Sequence, residues 1–361
     1  MLAVGLMSGT SLDGIDAALI ETDGEGEVRP VAFRSEVYSD EQRAELFAVT
    51  RLALTFDRPD ATPPVLAASG LVTRSHVLAV EKLLGEAGID ASDVDVIGFH
   101  GQTIAHRPDR GWTWQIGNGA GLAEATGIVT VSDFRSADVA AGGQGAPLLP
   151  VYHAALTRGL ERPLAVLNLG GVANITYVDA DGELLAFDTG PANGLIDSWV
   201  EREMGGRFDA GGALAASGRI DATVLDAMLD HPWFDVPPPK SLDRHDFTIQ
   251  PARGLSAADG AATLTAFTAA TVALALDHLP GRPSRLIVAG GGRHNPTLLA
   301  MIADRTGLTP ESSDSLGWNG DSVEAEGFAY MAVRTLKNLP ISFPGTTGVA
   351  TPTVGGLIHR I

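Results

Sequence analysis

The chain has 361 residues, a length that predicts about two domains, each large enough to bury its own core. It carries 25 Lys and Arg residues against 44 Asp and Glu residues, which gives a formal net charge of −19. This acidic balance argues against a protein that binds nucleic acid or anionic membranes through clustered cations. The chain contains no cysteine, which excludes disulfides, thiolate nucleophiles and cysteine-bound metals.

Two segments bear on where the protein works. Residues 1–28 contain no Lys or Arg but six Asp or Glu residues, the opposite of a basic signal-peptide start. Residues 260–276 form an uncharged apolar run, but four threonines interrupt it and 17 residues fall short of the ~20 that span a bilayer. We therefore predict a cytoplasmic protein with a buried helix at residues 260–276.

Two distant segments follow the same pattern. Residues 2–20 and 164–178 each begin with an apolar Leu-Ala-Val strand, continue through a polar turn and end in a second apolar strand. Each copy closes at an Asp-Gly-Glu turn, at residues 23–25 and 181–183. The repeat predicts two domains built on one plan, with chance similarity of two hairpins as the alternative.

The other patterns predict the alternating helices and strands of an α/β protein. The predicted helices lie at residues 65–84, 260–276 and 321–336, and the predicted strands at 94–99, 128–131, 184–187 and 285–289. Residues 232–240 contain four prolines and predict a surface loop.

Three glycine turns follow predicted strands and point to phosphate binding. Residues 8–14 read Ser-Gly-Thr-Ser-Leu-Asp-Gly, a turn that brings backbone N–H groups and hydroxyls toward an anion. Gly170-Gly171 and Gly290-Gly291-Gly292 follow two further strands, as a nucleotide between two domains requires, and Asn295 is predicted to cap the next helix. No Gly-Lys pair exists, so residues 8–14 are no Walker loop. A turn that only satisfies its own backbone is the alternative.

Asp188 is the candidate general base. It follows the predicted strand 184–187 and precedes a Gly-Pro turn and a helix. A carboxylate there can face a substrate while it remains partly desolvated. An aspartate that only caps the helix is the alternative.

Polar residues also follow the predicted strands 94–99 and 128–131: His100, Gln102, Asp133 and Arg135. They offer the donors and acceptors that a ligand with hydroxyl and carboxylate groups requires. For the histidine, a structural hydrogen-bonded role is the alternative. No histidine spacing predicts a metal site built by the protein itself.

Five motifs together resemble one family. They are Gly-Leu-Met-Ser-Gly-Thr-Ser-Leu-Asp-Gly-Ile-Asp at 5–16, His-Gly-Gln-Thr at 100–103, Ser-Asp-Phe-Arg at 132–135, Asn-Leu-Gly-Gly-Val-Ala-Asn-Ile at 168–175 and Phe-Asp-Thr-Gly-Pro-Ala-Asn at 187–193. Each is short, but the set resembles the anhydro-N-acetylmuramic acid kinase family over most of the chain.

The resemblance implies the duplicated actin-like ATPase (sugar kinase) fold, with two α/β domains and a cleft between them. We expect one domain at residues 1–135 with 338–361 and the other at 136–337. The implied enzyme uses ATP and Mg²⁺ to open 1,6-anhydro-N-acetylmuramic acid with water and to phosphorylate O6, which gives N-acetylmuramic acid 6-phosphate in peptidoglycan recycling. The expected partners are the amino sugar and ATP, and neither nucleic acid nor a membrane is expected. Whether the protein forms a homodimer is left open.

The resemblance also implies site residues, with Asp188 as the catalytic base. The motif at the N-terminus and the glycine turns give these ATP-binding residues: Gly9, Thr10, Ser11, Leu12, Asp13, Gly14, Ile15, Asp16, Gly170, Gly171, Asn174, Gly290, Gly291, Gly292 and Asn295. The substrate-binding residues are His100, Gln102, Asp133, Arg135 and Glu324, although Glu324 also suits the first turn of a helix. Two other functions stay open: a simple hexose or amino-sugar kinase in which Asp188 deprotonates a hydroxyl, and an actin-like or chaperone-type ATPase.

Overall fold

The structure, a computed structural model, describes residues 1–242 and 246–361. These residues form two compact units, Met1–Gly159 with Ser322–Ile361 and Leu160–Asp321. The division differs from the predicted boundaries, which assigned residues 136–159 and 322–337 to the second domain. The helix Val323–Leu336 belongs to the first unit because it packs against four strands of that unit's sheet.

The first unit is built on a seven-stranded mixed sheet. Its strands, numbered along the chain, are β1 (Leu2–Ser8), β2 (Gly14–Thr22), β3 (Val28–Val37), β4 (Val96–Arg107), β5 (Trp112–Ile116), β6 (Thr130–Ser132) and β12 (Leu357–His359). The order is β3-β2-β1-β4-β6-β12, and β5 pairs with β4. Strands β1 to β3 are antiparallel, whereas β4 runs parallel to β1 and β6 runs parallel to β4.

Seven helices accompany this sheet in the described residues: α1 (Asp40–Ala53), α2 (Pro63–Ala87), α3 (Gly119–Thr126), α4 (Ser136–Ala140), α5 (Pro150–Leu156), α11 (Val323–Leu336) and α12 (Pro344–Thr347). Helices α2 and α11 confirm the helices predicted at 65–84 and 321–336. Two glycines allow α11 to lie directly on the sheet. A Cβ on Gly5 of β1 would come within 1.8 Å of the Ala325 carbonyl oxygen, and a Cβ on Gly98 of β4 within 2.0 Å of that of Phe328.

The second unit repeats the same plan with five strands. They are β7 (Leu164–Leu169), β8 (Val172–Val178), β9 (Leu184–Pro191), β10 (Arg285–Ala289) and β11 (Pro310–Ser312). Strands β7 to β9 are antiparallel, β10 is parallel to both β7 and β11, and the order is β9-β8-β7-β10-β11. This order and these directions match β3-β2-β1-β4-β6, which confirms the predicted duplication of an actin-like α/β plan.

The helices of the second unit are α6 (Asn193–Met204), α7 (Ala213–Ser217), α8 (Ala222–Leu229), α9 (Ala257–Asp277) and α10 (Pro296–Thr306). Helix α9 is the one helix in residues 1–242 and 246–361 that is long and apolar enough to cross a membrane. However, 78% of its apolar window is buried. It packs with β7 and β9 in one hydrophobic cluster, as the prediction of a buried helix at 260–276 requires.

Three candidate residues lie inside strands rather than after them. Strand β4 continues to Arg107 because it forms a hairpin with β5, so His100 and Gln102 are strand residues. Strand β9 continues to Pro191, so Asp188 lies within it, and α6 begins at Asn193 without a proline.

The predicted surface loop at 232–240 is partly buried. Pro232–Asp235 forms a turn of 3-10 helix, and the side chain of Phe234 packs against Phe247 and Phe267. Lys240 is only 7% exposed. The prolines exclude an ordinary helix, as predicted, but the aromatic side chains draw this segment into the core.

Candidate active site

The buried side-chain amide of Gln102 fixes the turn between β1 and β2 through two hydrogen bonds. The Ser8 hydroxyl donates to Oε1 of Gln102 at 2.6 Å, and Nε2 of Gln102 donates to the carbonyl of Gly9 at 3.1 Å. Ser8 is 1% exposed and Gln102 is fully buried. Gln102, predicted to bind substrate, is thus engaged in fixing the turn.

Tyr38 is a further member of this network that sequence reasoning missed. Its hydroxyl lies 3.1 Å from the Ser8 hydroxyl, and its backbone N–H donates to the carbonyl of Asp13 at 3.0 Å. Burial raises the pKa of Tyr38 to about 12, although the bond with Ser8 opposes the shift. Tyr38 is therefore a neutral structural residue that fixes one end of the turn through its hydroxyl and the other end through its backbone N–H.

The turn divides into exposed and buried side chains. Thr10, Ser11 and Asp13 are exposed, whereas Leu12 and Ile15 are 3% and 2% exposed and belong to the core. The two apolar residues can therefore serve ATP only through their backbone. Leu12 has a φ of 58°, a left-handed conformation that is uncommon for a leucine and turns the chain sharply.

Gly9 and Gly14 of this turn differ in the space that surrounds them. A Cβ on Gly9 would meet only the Ser11 hydroxyl, at 3.6 Å, which is ordinary contact. A Cβ on Gly14 would lie 2.1 Å from the carbonyl oxygen of Glu36 on β3. Gly14 is required by strand pairing, whereas no steric contact among the described residues requires a glycine at position 9.

Arg135, which follows β6, contacts His100 within β4. Nε and Nη2 of Arg135 lie 3.3 and 3.2 Å from Nε2 of His100. Asp133, with a φ of 54°, accepts the N–H of Ser136 and so shapes the turn that presents Arg135. Glu324 lies in the first turn of α11, where an acid is favoured by the helix dipole.

The glycine turn after β7 is joined to the start of α6. The N–H groups of Ala192 and Gly194 donate to the carbonyl of Gly171, and the N–H of Asn193 donates to that of Gly170. A Cβ on Gly171 would meet no atom of the described residues within 4 Å. The backbone of this turn is therefore fixed by hydrogen bonds to the start of α6, while Gly171 leaves space for a ligand beside it.

The glycine turn after β10 is crowded except at its middle residue. A Cβ on Gly290 would lie 2.4 Å from the amide oxygen of Asn168, and a Cβ on Gly292 would lie 2.5 Å from Cβ of Leu169. At Gly291 the nearest atom is 3.9 Å away. Asn295 accepts the N–H of Leu298 and caps α10, which confirms the predicted capping.

Arg293, which sequence reasoning did not single out, locks this turn. It donates to the Gly290 carbonyl, to Asp314 at 2.9 Å and to Asp321 at 2.8 Å. Burial alone would lower its pKa, but Asp321 and Asp314 outweigh burial and hold that pKa above its ordinary value. The guanidinium is a permanent cation that ties the turn to the segment after β11.

Asp188 belongs to a row of polar residues across the second sheet. Asn174 of β8 is in register with Asp188 of β9 and with Asn168 of β7. Residues in register on neighbouring strands present their side chains on the same face. The two amides and the carboxylate therefore share one face of the sheet.

Backbone groups of the 240–242 segment hold Asp188 in place. The N–H of Asp188 donates to the carbonyl of Lys240 at 3.0 Å, and the N–H of Leu242 donates to Oδ2 of Asp188 at 2.7 Å. The carboxylate is half-buried. A half-buried carboxylate with one fixed oxygen is suited to accept a proton from an ordered molecule.

Lys240 anchors that segment and was also missed. Its ammonium donates to the carbonyls of Trp233 and Phe234 at 3.2 and 3.0 Å and lies 4.4 Å from the centre of the Trp233 ring. Burial lowers its pKa, and Asp235 opposes that shift. The sequence offered one signal for Lys240, which is that lysine is rare in this chain and occurs only three times.

The predicted residues thus form one group in each unit. The first unit brings together residues 8–16, His100, Gln102, Asp133 and Arg135, and the second brings together the two glycine turns, Asn174 and Asp188. No cluster of three His, Cys, Asp or Glu residues suited to hold a metal is present in the described part of the chain.

Comparison with known proteins gives a consistent result. The model of the family described as anhydro-N-acetylmuramic acid kinase matches residues 1–360. The chain is 70% identical over its full length to an anhydro-N-acetylmuramic acid kinase of Rhizorhabdus wittichii, of which it covers 99%. It is 54% identical over its full length to one of Zymomonas mobilis, of which it covers 100%. A solved activator of the 2-hydroxyisocaproyl-CoA dehydratase from Clostridium difficile, with bound ADPNP, is similar over 94% of this chain and 96% of its own, with a TM-score of 0.48 and 13% identity.

Proposed function

The chain belongs to the anhydro-N-acetylmuramic acid kinase family, and from that premise we propose which residues carry the reaction. It is a kinase that opens 1,6-anhydro-N-acetylmuramic acid with water and phosphorylates O6 with ATP, in the recycling of peptidoglycan. The proposal extends to Mg²⁺ as the partner of ATP and to the cytoplasm, where ATP is available, as the place of reaction.

Asp188 is the general base in this proposal. Water attacks the anomeric carbon and gives a proton to Asp188, the bond from that carbon to O6 breaks, and O6 accepts the γ-phosphoryl group while ADP leaves. The observation that carries the assignment is the double attachment of Asp188 to the 240–242 segment, at its N–H and at Oδ2. A base in this role has to be ionised and fixed within about 3 Å of the water.

The turn at residues 9–13 is the proposed phosphate site. No acceptor within the described residues forms a hydrogen bond with the backbone N–H of Thr10 or of Ser11. Gly9 leaves space beside them. Backbone N–H groups in such a turn bind phosphate oxygens without a lysine. Gly171 and Gly291 offer the same open backbone surface in the second unit.

The turn carries the few protein ligands that a phosphate-bound Mg²⁺ requires. Mg²⁺ commonly keeps several waters and is held by one or two carboxylates together with substrate phosphates. Asp13 is exposed on the turn and Asp16 is half-buried where β2 begins. We assign these two carboxylates to the ion, which would neutralise phosphate charge when bound.

Arg135 is the proposed recognition residue for the lactyl carboxylate of the sugar. A guanidinium holds a carboxylate through two parallel hydrogen bonds, which lysine cannot reproduce. Asp133 and Glu324 are the proposed partners of sugar hydroxyl and amide groups. For Asn174, which the sequence suggested for ATP, we propose a role beside Asp188 instead, because the two residues are in register on β8 and β9.

The experiment measures ATP consumption with anhydro and ordinary amino sugars and identifies each product. We expect turnover with 1,6-anhydro-N-acetylmuramic acid and formation of N-acetylmuramic acid 6-phosphate. Equal turnover with an ordinary amino sugar would favour a simple sugar kinase. ATP hydrolysis that no sugar stimulates would favour an ATPase whose cycle acts on a partner.

A further inference from the structure

The imidazole of His100 lies between a carbonyl and a guanidinium. Nδ1 is 2.9 Å from the carbonyl oxygen of Gly101, and Nε2 is 3.2 and 3.3 Å from Nη2 and Nε of Arg135. A carbonyl only accepts and a guanidinium only donates. His100 is therefore the neutral tautomer with its hydrogen on Nδ1 and a lone pair on Nε2 directed at Arg135.

The surroundings keep this imidazole neutral. His100 is 4% exposed and its ring packs 4.6 Å from that of Phe328. Burial, followed by the charge of Arg135, holds the pKa of His100 well below its ordinary value, although hydrogen bonds to the backbone of Gly101 and Ser8 oppose the shift. His76 is the other titratable group with an electrostatic effect on it, in the same direction. A proton on Nε2 would place two cations face to face.

A second acceptor fixes the other side of the guanidinium. Nη1 of Arg135 donates to the carbonyl of Gly145 at 2.7 Å. The N–H of Gly145 donates to Oδ2 of Asp138, whose Oδ1 accepts the hydroxyl of Thr347, each at 2.6 Å. Asp138 is 1% exposed. The planar guanidinium is thus held at two edges by acceptors that are themselves fixed.

We infer that His100 is a positioning residue, which orients the Arg135 guanidinium for the substrate carboxylate and does not itself contact the sugar. The inference rests on the proposed role of Arg135. It changes the role expected for His100, because a side chain with both ring nitrogens engaged and 4% exposure acts through its partner. Orientation matters because bidentate carboxylate binding depends on the plane of the guanidinium.

Two polar substitutions separate the two hydrogen bonds of the imidazole. The amide oxygen of Gln reaches the position of Nε2, so His100→Gln keeps an acceptor for Arg135. The shorter amide of His100→Asn reaches Gly101 but not Arg135. We expect His100→Asn to raise KM for the anhydro sugar about tenfold or more, the usual effect of losing a hydrogen bond to a charged group, with KM for ATP unchanged. We expect His100→Gln to restore most of the sugar affinity.

His76→Leu is the matched control for loss of a buried imidazole. His76 is fully buried on α2, its Nδ1 lies 2.7 Å from the Val72 carbonyl, and its Nε2 has no hydrogen-bond partner among the described residues. This variant should lower stability without raising KM for the sugar. An equal rise in both histidine variants would assign His100 a purely structural role and overturn the inference.

A double-mutant cycle with Arg135→Lys separates the inference from the function on which it rests. If His100 acts through Arg135, adding His100→Asn to Arg135→Lys raises KM for the sugar little further. Multiplying effects would overturn the positioning role while leaving Arg135 as a sugar ligand. Arg135→Lys with normal KM for the sugar would instead refute the proposed role of Arg135.

The unmodified enzyme provides a test that does not depend on variants. Nitrogen-15 spectra at about pH 5.5, where a free histidine is largely protonated, should show His100 neutral with hydrogen on Nδ1. A protonated ring, or hydrogen on Nε2, would overturn the inference even if no His100 variant folds.

Discussion

The carbonyl of Lys240 accepts the N–H of Asp188, so the residue with a buried ammonium is joined directly to the proposed base. The same short segment returns through Leu242 to Oδ2 of Asp188. The ammonium in turn is fixed by the carbonyls of Trp233 and Phe234. The position of the carboxylate therefore depends on a segment that the Lys240 ammonium holds in place.

This arrangement predicts the effect of Lys240→Met. Without the ammonium, the two carbonyls lose their donor and the 240–242 segment loosens around Asp188. We expect kcat to fall about tenfold or more while KM for ATP changes little. Lys82→Met, at a half-exposed lysine paired with Glu36, is the control and should leave kcat unchanged. Normal kcat in a folded Lys240→Met enzyme would contradict the positioning role.

The buried amide of Gln102 gives a second prediction. Gln102→Leu removes the acceptor for Ser8 and the donor for Gly9, which frees the turn at residues 9–13. We expect KM for ATP to rise about tenfold, with a smaller change in KM for the sugar. Gln115→Leu, at a half-buried glutamine on β5, is the matched control. A larger effect on the sugar than on ATP would return Gln102 to the substrate side.

The two glycines of the turn separate binding from folding. The Cβ of Gly9→Val would make only ordinary contact with the Ser11 hydroxyl, so the protein should fold normally, but it should bind ATP weakly, because phosphate must approach the backbone there. Gly14→Ala should lower the free energy of unfolding, because its Cβ meets the Glu36 carbonyl at 2.1 Å. Calorimetry with ATP and urea denaturation measure the two effects. Unchanged ATP affinity in Gly9→Val would remove the phosphate role from this turn.

Buried histidines predict how stability depends on pH. Burial lowers the pKa of His76 and of His153 from 6.5 to about 4. As pH falls below about 6.5, the unfolded chain binds protons that the folded chain refuses, so the free energy of unfolding decreases down to about pH 4. Each histidine contributes about 1.4 kcal/mol per pH unit within that window. The free energy of unfolding, measured by urea denaturation between these pH values, should depend less steeply on pH in His76→Gln than in the wild-type protein. An identical pH dependence in the two proteins would contradict the assignment.

The sequence was sufficient for the repeated plan of the two units. The copies at 2–20 and 164–178 became β1-β2 and β7-β8, because alternating apolar runs with glycine turns are local signals. Strand ends were harder to predict. His100 and Asp188 lie inside β4 and β9, since each strand is extended by pairing with a neighbour that no local pattern reveals.

The supporting contacts of the site lay beyond sequence reasoning for a related reason. Ser8 and Gln102 are 94 residues apart, and Asp188 and Leu242 are 54 apart. The burial of Lys240 depends on an aromatic cluster formed by tertiary packing. The motifs named the residue types of the site, whereas the partners that hold them follow only from the fold.

Asp188→Asn tests whether the carboxylate acts as a base. The amide keeps the shape of the side chain and removes its basicity, so the variant should bind ATP and sugar but turn over about 10²- to 10⁴-fold more slowly. Binding by calorimetry and turnover by ATP consumption separate the two properties. Near-normal turnover in the folded variant would exclude Asp188 as the base.

The most direct test of hydrolytic phosphorylation is the fate of oxygen from water. The wild-type enzyme is run in ¹⁸O-labelled water, and the product is trapped quickly because the anomeric oxygen exchanges with solvent. A non-enzymatic control with unlabelled N-acetylmuramic acid 6-phosphate measures that exchange over the same time. Hydrolytic opening of the ring predicts one ¹⁸O atom at the anomeric position, above the control, and none in the phosphate ester. Trapped product without label at the anomeric oxygen would contradict it.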